Sequence, residues 1–319
     1  MTAIPKDAEH AARVLVSMCD AEKEMQSCVA KEAVPKSKLR VPCPPPGIYP
    51  GVPHDVYRLW KAVCQSDLKR LQKSPAHLQA YRDDPPEQTP AMRLGSAFHA
   101  YFLDAATVFH SVYVAVPDGL DRRTKEGKAW MDSVGDREVL SADDCAAITG
   151  MSNSLRTQPV IVAMDALSSF AVNHRQNEVS IVWLDAATGT LCKGRLDMIR
   201  ETGPDSWTIV DPKTCADASP EDFGKAAFNL GYHIQAAFYL WGCASLGLSV
   251  DKFLFAAVEK TQPYASAVYE LDEDFLSLGW REVRGLLDLY AECERTQTWP
   301  GYSPEPVTLS PPAWATKGL

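Results

Sequence analysis

A chain of 319 residues, 46% hydrophobic and 23% charged, suits one large soluble globular domain or two modest ones, and no run approaches the ~20 apolar residues of a membrane span. Nine scattered cysteines with no CxxC pair suit a reducing cytoplasm and argue against a disulfide framework, structural zinc or an iron–sulfur cluster. A formal charge of −9 does not advertise a nucleic-acid binder, yet a basic channel can sit inside an acidic exterior.

The N-terminal "MTAIPKDAEHAARVLVSMCDAEKEM" carries early charge and no apolar core, so a secretory signal is not expected. Residues 1–34 hold an amphipathic helical pattern, and "VPKSKLRVPCPPPGIYPGVP" then breaks regular structure with repeated proline. Residues 1–50 therefore read as an extension ending in a linker, and 51–319 as the main domain. Ser66 reads as the N-cap before "DLKRLQK", with Asp67 in the first turn. Pro75 starts a short helix that ends in a proline-rich loop. "AMRLGSAFHAYFLDAATV" reads as one apolar helix with His99 inside it, and "LDRRTKEGKAWMDS" as a charged, mobile segment. Ser141 is expected to cap the next helix, with Asp144 at its third position.

From Asn177 the period changes to two. "EVSIVWLD", "TLCKGRLDMIR" and "WTIVDPKT", separated by turns, read as an antiparallel meander. "SPEDFGKAAFNLGYHIQAAFYLWGCASLG" reads as one long helix capped by Ser219. "DKFLFAAVEK" and "ASAVYELD" are two further strands, "EDFLSLGWREVRGLLDLYAECERT" a closing helix, and the proline-rich tail is irregular. The fold class is α/β, a small mixed sheet flanked by helices.

The third strand of the meander carries Asp211-Pro212-Lys213, whose two charged side chains share a face. Asp197 lies mid-strand just before it, and Glu178 opens the first strand. Gln235 and Tyr239, four apart, share a helix face with Tyr232. Paired carboxylates can hold a hard divalent cation, and such a cation activates water and stabilises phosphate charge. An ammonium beside it can orient the attacking water or neutralise developing charge. Pro212 has no N–H, and its carbonyl is free to act as another oxygen ligand. Taken singly, the Asp/Asp-x-Lys triple also fits a solvated ion pair at strand ends, and His99 also fits a packed core histidine. The order in which these groups follow one another favours a site.

That order, His99, Asp197, Asp211-x-Lys213, Gln235-x-x-x-Tyr239, resembles the PD-(D/E)XK nuclease superfamily. Most closely it resembles the phage and prophage RecE-type exonucleases (exonuclease VIII), relatives of lambda exonuclease and of the RecB nuclease domain. The likeness runs from about Val56 to the C-terminus through "SDLKRLQKSPAHLQAY", "TPAMRLGSAFHAYFLD", "RTKEGKAWMD", "VLSADDCAAITGMSNSLRTQP", "CKGRLDMI", "WTIVDPKT" and "YHIQAAFYLWG". It implies a restriction-endonuclease-like core. It implies that His99, Asp197, Asp211 and the Pro212 carbonyl bind one or two Mg²⁺ or Mn²⁺ ions, with Lys213 catalytic. Glu178 would assist a second metal, and Gln235 and Tyr239 would position the lysine, water or phosphate. The implied activity is 5′→3′ digestion of one strand of linear duplex DNA in the bacterial cytoplasm. The 3′ strand left behind would pass to a RecT-like annealing partner. A homo-oligomeric ring would enclose the DNA, tetrameric as in the RecE branch or trimeric as in lambda exonuclease. Ser66, Lys69 and Arg70 are candidates for a 5′-phosphate pocket, and Arg122 and Arg123, with Lys125 and Lys128, for backbone contacts. An endonuclease of the same fold and a non-catalytic DNA-end-binding subunit are the alternatives.

Overall fold

The computed structural model describes residues 41–103, 106–170 and 176–311. The helix expected within residues 1–34 lies outside them. The central sheet has six strands, in the order Gly47–Tyr49 (β1), Gln176–Asp185 (β4), Thr190–Gly203 (β5), Ser206–Cys215 (β6), Val250–Glu259 (β7) and Ser266–Glu270 (β8). As expected, β4 (Gln176–Asp185), β5 (Thr190–Gly203) and β6 (Ser206–Cys215) form an antiparallel meander. β7 (Val250–Glu259) then pairs with β6 in parallel, and β8 (Ser266–Glu270) with β7 antiparallel. A parallel pair needs a crossover, which helices α9 (Pro220–Asn229) and α10 (Tyr232–Ser245) provide.

Both faces of the sheet are covered. On one, Ile234, Ala237 and Phe238 of α10 pack on Ile181, Trp183, Leu196 and Phe255. The approach is close: a Cβ at Gly242 would stand 2.8 Å from the Trp183 ring. Outside α10 lies α11 (Glu273–Thr296). On the other face, α4 (Pro90–Leu103) and α7 (Ala142–Leu155) bring Phe98, Phe102, Ile148 and Met151 onto Met198, Val210, Leu254 and Ala256, and α8 (Pro159–Phe170) joins the same core through Ile161 and Met164. The short elements α1 (His54–Leu59), α2 (Gln65–Leu71) and α3 (Pro75–Asp83) precede this layer. A separate parallel pair, β2 (Tyr113–Ala115) with β3 (Glu138–Leu140), follows α5 (Ala106–Val112) and brackets α6 (Lys125–Val134). No helix among the described residues is long and apolar enough to cross a membrane.

Several local expectations change. The proline-rich stretch contains β1 (Gly47–Tyr49), an edge strand on β4, so the sheet begins inside the segment that reads as a linker. Proline is tolerated beside an edge strand because the outer N–H groups have no partner to lose. The charged segment at 120–133 is in part helix α6, where the Thr124 hydroxyl caps the Gly127 N–H at 3.0 Å. The long helix expected over 219–247 is two helices, broken at Gly231, whose φ of 71° lies in the left-handed region open to glycine. Ser219 precedes the first of them without a side-chain cap bond. The Ser141–Asp144 capping box is present as expected.

Candidate active site

Register places the acidic residues in a row across three strands. Asn177 pairs with Met198 and Val179 with Leu196, so Glu178 stands opposite Asp197. Met198 pairs with Val210, so Asp211 is the next position beside Asp197. The β5–β6 ladder stops there, while β6 stays paired with β7 through Cys215. The sheet therefore forks at Asp197 and Asp211. Leu196 belongs to the α10-side core and Met198 to the α4-side core, although residues two apart normally share a face. β5 thus turns over at Asp197. Opposite it, Glu178 has a φ of 54°, a conformation that costs a non-glycine residue on the order of 1–3 kcal/mol.

The side chains around the fork interlock. Gln235, from the first turn of α10, donates its amide to Asp211 Oδ2 at 2.5 Å. The Lys213 ammonium pairs with Asp211 Oδ1 and lies 5.0 Å from the centre of the Tyr232 ring. His99 of α4 reaches in from the other layer, with Nδ1 3.4 Å from Asp197 Oδ2. The Pro212 backbone, which can only accept, also faces the His99 ring. The Tyr239 ring packs against Gly194, where a Cβ would sit 3.0 Å from it. The cluster is accessible at its rim. Side-chain exposure rises from 3% at Asp211 to 16% at Asp197, 17% at Lys213 and 27% at His99.

Electrostatics set Asp197 apart from an ordinary ion-paired carboxylate. Burial and then the Asp211 and Glu178 charges push the Asp197 carboxyl well above the usual carboxylate range. Burial alone would lower the Lys213 ammonium, but the Asp211 and Asp197 carboxylates outweigh it and hold it raised. Burial and the Lys213 cation push His99 down, which favours the neutral imidazole that ligates metals. Burial raises both Tyr232 and Tyr239, so both phenols stay protonated.

Among the described residues no three His, Cys, Asp or Glu side chains converge as a ready-made metal cage. In this arrangement Lys213 and Gln235 occupy Asp211, and Arg195 holds Glu178. The donors nevertheless fit a divalent cation. Asp197 and Asp211 adjoin with an excess of negative charge, and carboxylate, carbonyl and one neutral imidazole suit Mg²⁺ or Mn²⁺.

The remaining sequence candidates divide. Ser66 is not the cap of α2. Cys64 is, in a capping box with Asp67, and Ser66 sits inside the first turn. Lys69 is lowered by burial and then by the Arg70 and Lys213 cations, which places its ammonium in the electrostatic reach of the fork. Arg70 stacks over Tyr81 at 4.6 Å. Arg122 and Arg123 lie on the exposed turn before α6, and neither is among the charges that act most strongly on Asp197 or Lys213. Sequence reasoning passed over Arg195. It bonds Glu178 Oε2 at 2.5 Å and the Val52 carbonyl at 2.8 Å, and its charge acts on Asp197. The available signal was an arginine in mid-strand two residues before Asp197.

A forked mixed sheet, with Asp197 and Asp-Pro-Lys at the fork and helices on both faces, defines the PD-(D/E)XK nuclease class. The sequence matches, over residues 64–306, the family described as "PDDEXK-like domain of unknown function (DUF3799)", and the chain belongs to that family. The fold is shared with the crystal structure of a "Putative exonuclease" from Eubacterium rectale, at a TM-score of 0.53 and 16% identity, covering 81% of this chain and 94% of that one. A crystal structure of SSO0001 aligns at a TM-score of only 0.28, with 15% identity over 64% of this chain and 87% of that one. No curated protein matches the sequence.

Proposed function

We propose that the protein is a metal-dependent exodeoxyribonuclease that digests one strand of linear duplex DNA from a 5′ end. The observation that carries the chemistry is the fork itself, where Asp197 and Asp211 adjoin with Lys213 and His99 against them. His99, Asp197, Asp211 and the Pro212 carbonyl would hold Mg²⁺ or Mn²⁺, with Glu178 serving a second ion. Such a metal lowers the pKa of water and neutralises phosphate charge. The Lys213 ammonium, kept charged by the two carboxylates, orients the attacking water and donates to the phosphate oxygens. Gln235 fixes the Asp211 carboxylate through its amide. Tyr239, held protonated, remains a donor at the fork. Water oxygen bonds to phosphorus, the P–O3′ bond breaks, and the departing 3′ oxygen takes a proton. The new 5′-phosphate stays on the shortened strand.

End dependence and polarity rest on the resemblance to RecE-type exonucleases and on the cation Lys69 near Lys213. On the same basis the protein assembles as a ring around duplex DNA and hands the 3′ strand to a RecT-like annealing protein. The test uses Mg²⁺, or Mn²⁺, with three DNAs: a linear duplex with 5′-phosphate, the same duplex with 5′-hydroxyl, and a covalently closed circle. Mononucleotides from the first, fewer from the second and none from the third are expected. Cutting of the circle would replace this reading with an endonuclease. Hydrolysis of none would leave a DNA-end-binding subunit.

A further inference from the structure

Beside the fork lies a buried polar bridge that the proposed chemistry does not use. Arg200 of β5 is fully buried. Its guanidinium donates to the Met164 carbonyl of α8 at 3.3 Å, to the Ile199 carbonyl at 2.8 Å and to Asn177 Oδ1 at 2.8 Å. The Asn177 amide donates in turn to the carbonyl of Leu103, the last residue of α4, at 2.5 Å. The two neighbours fix which way the Asn177 amide points, since one only donates and the other only accepts. Asn177 immediately precedes the left-handed Glu178, Arg200 is three residues beyond Asp197, and Leu103 is one helical turn beyond His99. A single bridge therefore ties the helix that carries His99 to both strands that carry the facing acids. A buried guanidinium is costly, and apolar residues of similar volume often serve stability as well or better. Its placement here has a geometric use.

We propose that Asn177 and Arg200 are positioning residues, which set the His99 end of α4 and the strained Glu178 at their places around Asp197. This rests on the nuclease reading above. Asn177→Asp keeps the acceptor for Arg200 but cannot donate to the Leu103 carbonyl, and Asn177→Ala removes both bonds. In protein labelled with ¹⁵N-histidine, both variants should move the His99 ring signals and leave those of His77 and His233, which lie elsewhere, in place. With a linear duplex, kcat should fall about tenfold or more while KM for DNA ends stays within about twofold, the cost of a misplaced reacting group. The proposal is overturned if melting temperature falls while the His99 signals and kcat stay as in the wild type. If the wild type hydrolyses no DNA, the nuclease reading fails, and the His99 signals still decide whether the bridge positions that ring.

Discussion

The hairpin of β4 and β5 carries a carboxylate toward each end, Asp185 buried and Asp197 half-buried, and the fold treats the two oppositely. At the turn, Asp185 accepts from the Ala187 N–H, the Thr188 hydroxyl at 2.5 Å and both terminal nitrogens of Arg284 at 2.9 and 2.7 Å. Burial would raise its carboxyl, but these donors outweigh burial and hold it below the usual range. At the fork, Asp197 has the His99 ring 3.4 Å away and two other acids beside it, and its carboxyl is raised. The sheet also holds two lysines in contrasting ways, Lys193 buried and Lys213 half-buried. Lys193 donates to the Tyr57, Arg58 and Trp60 carbonyls at the end of α1, a static cap, whereas Lys213 faces carboxylates. A charge surrounded by fixed donors or acceptors stabilises one arrangement. A charge left with like neighbours is stabilised only when something else arrives.

The largest expected contrast is in turnover. Lys213→Ala or Asp211→Asn should lower kcat on linear duplex by roughly a hundredfold or more, since each removes a group acting on the reacting phosphate. Arg284→Met should leave turnover per folded molecule unchanged. It should lower stability by about 1–3 kcal/mol in urea titration, because Asp185 loses its charged donor while buried. Asp197→Asn should abolish turnover yet raise stability in the same titration by about 1 kcal/mol, as relief of like-charge crowding at a functional site does. Loss of stability in Asp197→Asn comparable to that in Arg284→Met would erase the distinction. The smallest effect is in pH. Because Asp185 is depressed in the fold, its contribution is fully present above the unfolded carboxylate value of about 3.9 and is lost as pH falls through the lower folded value. Asp185→Asn should flatten the acid limb of a stability–pH curve. An unchanged limb would mean that Arg284 does not hold Asp185 in solution.

Much of this was legible in the sequence. The strands from Asn177 to Thr214 announce themselves by alternation and turns, and the closing helix occupies residues 273–296 as read; its Asp272 cap is added by the structure. The catalytic candidates on α4, β4, β5, β6 and α10 do meet at one place. The fork was not legible, because it depends on where the β5–β6 ladder ends and on Asp197 lying where β5 changes face, both properties of pairing across strands. A single period-two pattern carries no mark of that turnover. β1 was hidden because three residues give no periodicity and prolines surround them. The break at Gly231 had a signal, a glycine between two apolar helical stretches, but propensity alone does not say whether such a glycine kinks or continues a helix. The Asn177–Arg200 bridge joins residues far apart in the chain to a backbone carbonyl, which no side-chain pattern reveals.

The most direct test of the central claim, that the fork cleaves phosphodiesters, is release of acid-soluble nucleotide from a 5′-phosphorylated linear duplex in Mg²⁺, comparing the wild type with Lys213→Ala. Steady release by the wild type, and none above background by a Lys213→Ala protein of unchanged melting temperature, is the predicted result. Equal release by both would contradict the account.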